Sequence, residues 1–98
     1  MDALLRGSIE RHLDTLLTKE EVLTSASKMF KEGLSPTVKH LEDALFGYVV
    51  GRTIEFSFFA IQMYYHRLPD SEEFNEIGKI LERRATEIKS KVTLVANR

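Results

Sequence analysis

The stretch GYVVGRTIEFSFFAIQMYY, Gly47–Tyr65, decides the fold. It contains no proline and does not alternate polar and apolar residues with period two, so it reads as a helix. At about 100° per residue, Arg52, Glu55, Gln62 and His66 gather in one narrow strip. Apolar or small residues fill most of the remaining circumference. A helix of this kind belongs at the centre of a larger apolar structure.

Punctuation lies on both sides. Ser35-Pro36 supplies an N-cap and a first-turn proline, which places the start of this helix there. Leu68-Pro69 stops it at about Arg67, because a residue before proline is pushed out of the helical region. Upstream, Ile9, Leu16, Leu23 and Phe30 recur every seven residues, with Leu5, Leu13, Leu17 and Ala26 beside them. That spacing predicts a coiled-coil-like helix over residues 2–32. Thr18 and Glu21 have capping-box spacing and mark where this helix can break. Gly33 is placed to cap its C-terminus. Downstream, Asp70 and Glu73 form a capping box, and Glu72, Glu73 and Glu76 suit the positive end of a helix dipole. The third helix runs on to residue 96, with Phe74, Leu81, Ile88 and Val95 as its seam and Ile77, Ala85 and Val92 alongside. The prediction is all-α: one domain over residues 1–98, with three long helices in an antiparallel up-down-up bundle.

Two neighbours leave an outward arc of the second helix uncovered, and monomers rarely expose apolar patches beyond a few hundred Å². The expected cover is the same helix of a second copy, giving a homodimeric helical bundle. Gly47 and Gly51 permit close backbone approach. Val50, Ile54, Phe58, Ile61 and Tyr65 complete the expected interface. A chain of 98 residues builds only a modest core, which also favours association.

Arg52 and Glu55 are spaced to pair along the helix. Folding the chain about residue 34 brings Arg52 level with Leu16, one turn from Glu20. Folding it about residue 69 brings Glu55 beside Arg83 and Arg84. Glu20 and Arg84 occupy core-facing heptad positions. Glu20, Arg52, Glu55 and Arg84 are therefore expected to meet in one buried polar layer that fixes register. The alternative is a ligand pocket in the bundle core.

The 14 basic and 15 acidic residues nearly balance, so no global field favours nucleic acid or an anionic membrane. Towards the C-terminus, Lys79, Arg83, Arg84, Lys89, Lys91 and Arg98 outnumber Glu82 and Glu87. Lys79, Arg83, Lys89 and Lys91 are the candidate phosphate contacts of a nucleic-acid-associated regulator. Absence of cysteine excludes disulfides and thiolate metal sites. No Glu-x-x-His occurs, and His40 with Asp43 makes only half a metal site. No phosphate-binding glycine loop and no assignable nucleophile–base pair is present. No catalytic residue, metal or cofactor is expected.

Arg52 and Glu55 near the centre of the apolar helix would each cost roughly 2.5–3.5 kcal/mol in a bilayer, so a membrane span is not expected. The first residues mix charge with apolar groups and lack the apolar core of a secretory signal, so a cytoplasmic location is expected. Asn and Gln are scarce beside Glu, Lys and Arg, a pattern that leans towards a thermophilic source. The reading is a non-enzymatic oligomerisation or protein-interaction module. A nucleic-acid-associated regulator and a ligand-binding or enzymatic bundle around Arg52 and Glu55 are the alternatives.

Overall fold

Helices need partners for their first N–H groups, and two of the helix starts have them in their own side chains. In the computed structural model, which describes residues 1–98, α1 (Ala3–Thr18) opens behind Asp2, whose carboxylate accepts from the Leu5 N–H at 2.8 Å. The capping box read from Asp70 and Glu73 is formed. The Glu73 N–H donates to Asp70 Oδ1 at 2.8 Å, and the Asp70 N–H donates to Glu73 Oε1 at 3.0 Å. It opens the last helix, Ser71–Ala96. Arg67 then grips the same Glu73 carboxylate with both terminal nitrogens, at 2.6 and 3.1 Å.

The first expected helix is divided. α1 stops at Thr18, and α2 (Glu20–Lys28) starts after Lys19. The break falls where Thr18 and Glu21 place it, but they do not cap it. The Thr18 hydroxyl turns back to the carbonyls of Asp14 and Thr15, and α2 has no side-chain cap. α2 runs into a π-helical turn, Met29–Gly33. Gly33 has no positive φ, so it is not the left-handed cap expected of it. α3 begins at Leu41, not at Ser35. Ser35 and Pro36 sit in a turn ahead of Leu41, so this pair is not the helix start. α3 ends at Tyr65, where His66 takes a φ of 55° and its N–H closes onto the Gln62 carbonyl. The last helix is α4. The chain is all-helical without strands, and four α-helices pack together where three were expected.

α1 and α3 are antiparallel: Tyr65 of α3 bonds to Asp2, and Phe56 stacks on His12. α4 returns parallel to α1 and α2, with Arg83 on Glu10 and Lys91 on Glu20. The resulting body measures 40 × 22 × 20 Å. Its core is in two parts. Leu13, Leu16, Leu23, Leu45, Val49 and Ile88 anchor one end, and Leu5, Ile9, Ile61, Ile77 and Ile80 the other.

Between those two parts, α3 turns small residues inward. Its buried stripe is Leu45, Val49, Thr53, Ser57 and Ile61, with Ala60 beside it. Thr53 and Ser57 are 0% exposed, and their hydroxyls donate to the carbonyls of Val49 (2.9 Å) and Thr53 (2.7 Å). At mid-helix the inward positions of α3 are small, and Phe59 and Met63 point outward. Only 33% of its most apolar window is buried, although α3 is long and apolar enough to cross a membrane by length and composition. On α4 the buried face begins at Glu73, Ile77 and Ile80. Arg67 and the capping box hold Glu73 inward, so Phe74, one step on, points out. Phe74 was expected in the core and is 62% exposed.

Candidate functional site

The outer face of α3 carries Phe59 and Met63 among the exposed large apolar side chains of the chain. Gly47 and Gly51 are exposed, and a Cβ added to either would meet no atom within 4 Å. Neither has a positive φ. A helix-interior glycine costs about 0.8–1 kcal/mol relative to alanine, and nothing inside the protomer uses the space. Val50, Ile54 and Phe58 are half-buried and Tyr65 is exposed. Phe58 reaches Phe74 of α4 at 6.5 Å between ring centroids. Ile61 is different: it is fully buried in the protomer core, so it leaves the expected interface. The inward stripe at residue 57 carries into Ile61, which fixes its direction.

Next to this line runs a second one, Tyr48, Arg52, Glu55 and Phe59, also at heptad spacing. Phe59 is 61% exposed, and Met63 one turn on is equally open. The accessible surface of the chain is 6326 Å². A monomer of 11.3 kDa typically presents about 5,700 Å². Part of the excess of about 600 Å² comes from the elongated shape and part from these side chains. A standard interface removes roughly 800 Å² from each partner.

The expected four-residue polar layer is not formed. Arg52 and Glu55 are both exposed on the outer face of α3. The Arg52 guanidinium donates to the Tyr48 hydroxyl at 2.8 Å and lies 5.6 Å from that ring. Glu55 joins none of the ion pairs. Arg84 faces α1 instead, where it meets Glu10 (3.1 Å) and Asp14 (2.6 Å) as well as Glu87 (2.7 Å). Glu87, then Asp14 and Glu10, hold its guanidinium even more firmly protonated than usual. Glu20 meets Lys91 and Arg98, the latter at 2.5 Å. Hydrogen bonds from Arg98 and Lys91 hold its carboxyl down to about 2. The physical reason is spatial. The charged partners of Glu20 and Arg84 lie along the α1/α2–α4 seam, while Arg52 and Glu55 line a separate cleft with His12 of α1.

That seam also bears on the basic C-terminal helix. Arg83 is paired with Glu10 and Lys91 with Glu20. Lys79 and Lys89 are exposed and unpaired. Of the four candidate phosphate contacts, two are therefore already neutralised by acids of α1 and α2. The sequence count missed this, because those acids lie some seventy residues away along the chain.

Two clefts flank the outer face of α3. One, of about 600 Å³, is mostly apolar, with Val22, Ala26, Met29, Phe30 and Tyr48 in its lining. Phe30 and Tyr48 meet edge to face at 6.4 Å. The other, of about 450 Å³, is lined by His12, Arg52, Glu55, Phe56 and Phe59. His12 stacks on Phe56 at 4.3 Å, and its Nε2 is buried without a hydrogen-bond partner. Burial, and then the nearby Arg52 charge, push the His12 pKa down. No group of three or more His, Cys, Asp or Glu residues is placed to hold a metal ion. Sequence reasoning missed Tyr48, Phe59 and Met63 as surface features. The 48–52–55–59 spacing carried that signal, but the glycine line beside it has the same period. No family model matches the chain, and no curated protein and no solved structure shows significant similarity to it.

Proposed function

We propose that the protein is a non-enzymatic assembly module whose outer α3 face associates with another helical chain, in the first instance a second copy of itself. The observation that carries this reading is the apolar surplus of α3. Its inward stripe is Leu45, Val49, Thr53, Ser57 and Ile61, while Phe59, Met63 and Tyr65 remain exposed. Interfaces bury aromatic and methionine side chains of this kind at their centres. Ion pairs along the α1/α2–α4 seam neutralise much of the basic helix, so the reading does not rely on nucleic acid.

The test is Gly51→Leu. A Cβ at this position meets no other atom within 4 Å, and the change replaces a poor helix former with a good one. Chemical denaturation is expected to show protomer stability unchanged or higher by up to about 1 kcal/mol. Light scattering is expected to show an associated parent chain and a monomeric variant. An associated chain that tolerates Gly51→Leu would move the interface elsewhere.

A second reading, a ligand-binding bundle, draws on the unpartnered His12 Nε2 in the cleft beside Arg52. Titration with acetate, followed at the His12 ring protons by NMR, is the check. Saturable shifts abolished by Arg52→Met support it, and their absence removes it.

A further inference from the structure

We infer that α3 pairs antiparallel with α3 of a second copy about a two-fold axis between Thr53 and Ile54, with Arg52 of each copy set against Glu55 of the other. This rests on the assembly reading above and specifies its occupant, orientation and register.

The charges carry the argument. Arg52 and Glu55 sit between Tyr48 and Phe59 on the outer face of α3, with Gln62 and His66 further along the same strip, and they do not pair with each other in the protomer. An isologous contact sets residue i against j and j against i. About this axis Arg52 faces Glu55 twice, and Tyr48 faces Phe59 twice. The line aromatic, basic, acidic, aromatic at positions 48, 52, 55 and 59 thus complements itself when reversed. Parallel pairing in register would place Arg52 on Arg52 and Glu55 on Glu55, and like charges across an interface are strongly unfavourable. The same line therefore selects orientation.

The apolar cleft fits the same axis. Under this axis the C-terminal half of one α3 lies over the N-terminal half of the other. Phe59 comes level with Tyr48 of the second copy, and Met63 with its Ala44. Tyr48 walls the apolar cleft formed with Val22, Ala26, Met29 and Phe30. Phe59 and Met63 are exposed towards that end, with Tyr64 and Tyr65 beyond them, and each copy carries both these groups and the apolar cleft. The occupant that matches both charge and shape is a second copy.

The test uses charge reversal with mixing. Arg52→Glu gives a chain with two acids on this line, and Glu55→Arg gives one with two bases. Each alone is expected to self-associate about tenfold or more weakly than the parent, from repeated like-charge contacts. Mixed in equal amounts, with one isotopically labelled, they are expected to form a one-to-one heterodimer in native mass spectrometry. The double variant is expected to return to homodimers. Recovery on mixing also shows that both single variants are folded. Phe59→Ala is expected to weaken association while leaving the denaturation midpoint of the dissociated chain unchanged. If both reversals associate like the parent, or if they dissociate and mixing restores nothing, this arrangement is wrong. If that happens while Gly51→Leu still disrupts the parent, the assembly reading survives and only the register falls. A parent chain that is monomeric overturns both.

Discussion

Thr53 and Ser57 set the geometry of α3. They are fully buried with hydroxyls bonded to their own helix, so they keep a narrow waist between two apolar clusters. Ser57→Ala removes a local hydrogen bond and leaves the volume nearly unchanged, so denaturation should report a change within about 1 kcal/mol. Ser57→Leu forces extra methylenes into that waist and should cost about 1–3 kcal/mol or more. Equal effects from the two would mean the waist is not tightly packed. At Glu20 the issue is charge. Hydrogen bonds from Arg98 and Lys91 hold its carboxyl at about 2, against an ordinary 4.5. The fold favours the ionised form, so that stabilisation is complete above about pH 4.5 and lost as the pH falls towards 2. Glu73, lowered mainly by Arg67, and Asp2, lowered mainly by Tyr65, add in the same direction. The thermal midpoint should drop between pH 5 and pH 2.5, and Glu20→Gln should flatten that drop. A variant as acid-sensitive as the parent would show that the pairing contributes little. The Asp70–Glu73 cap was legible in the sequence because it is local. The inward turn of Thr53 and Ser57 was not, because hydrophobicity ranks them below Ile54 and Phe58 and only packing decides which side is narrow.

At the scale of elements, the helical character and the antiparallel order were legible from heptad spacing and the prolines. Folding about residue 34 placed Arg52 level with Leu16, and the Phe56–His12 stack in the structure fits that register. What the spacing did not fix was rotation. A heptad marks one stripe on each helix, but α3 has two stripes side by side and an apolar surplus, so its inner side was ambiguous. The buried layer expected from Glu20, Arg52, Glu55 and Arg84 failed for that reason. Arg84 and Glu55 now make opposite predictions. Arg84→Met removes the only ion-pair partner of Asp14 and one of the two partners of Glu10, which keeps Arg83, and should cost about 1–2 kcal/mol, discounted for the exposure of its partners. Glu55→Gln should leave protomer stability within about 0.5 kcal/mol, since Glu55 joins no ion pair in the protomer. Urea denaturation at a concentration where the chain is dissociated measures both. A large loss from Glu55→Gln there would place it inside the protomer after all.

At the scale of the whole molecule, two surfaces compete for attention and the fold treats them differently. Arg83, Arg84 and Lys91 of α4 are matched by acids of α1 and α2, whereas Phe59 and Met63 on the outer face of α3 stay exposed. The overall charge balance was legible from composition, but its spatial cancellation required knowing that α4 runs beside α1. The central claim, that the outer face of α3 is shared between two copies, is tested most directly by the solution mass of the unmodified chain. Sedimentation equilibrium over a dilution series should give twice the chain mass at high concentration, relaxing towards the single mass on dilution. The mass of a single chain at every concentration would contradict the account.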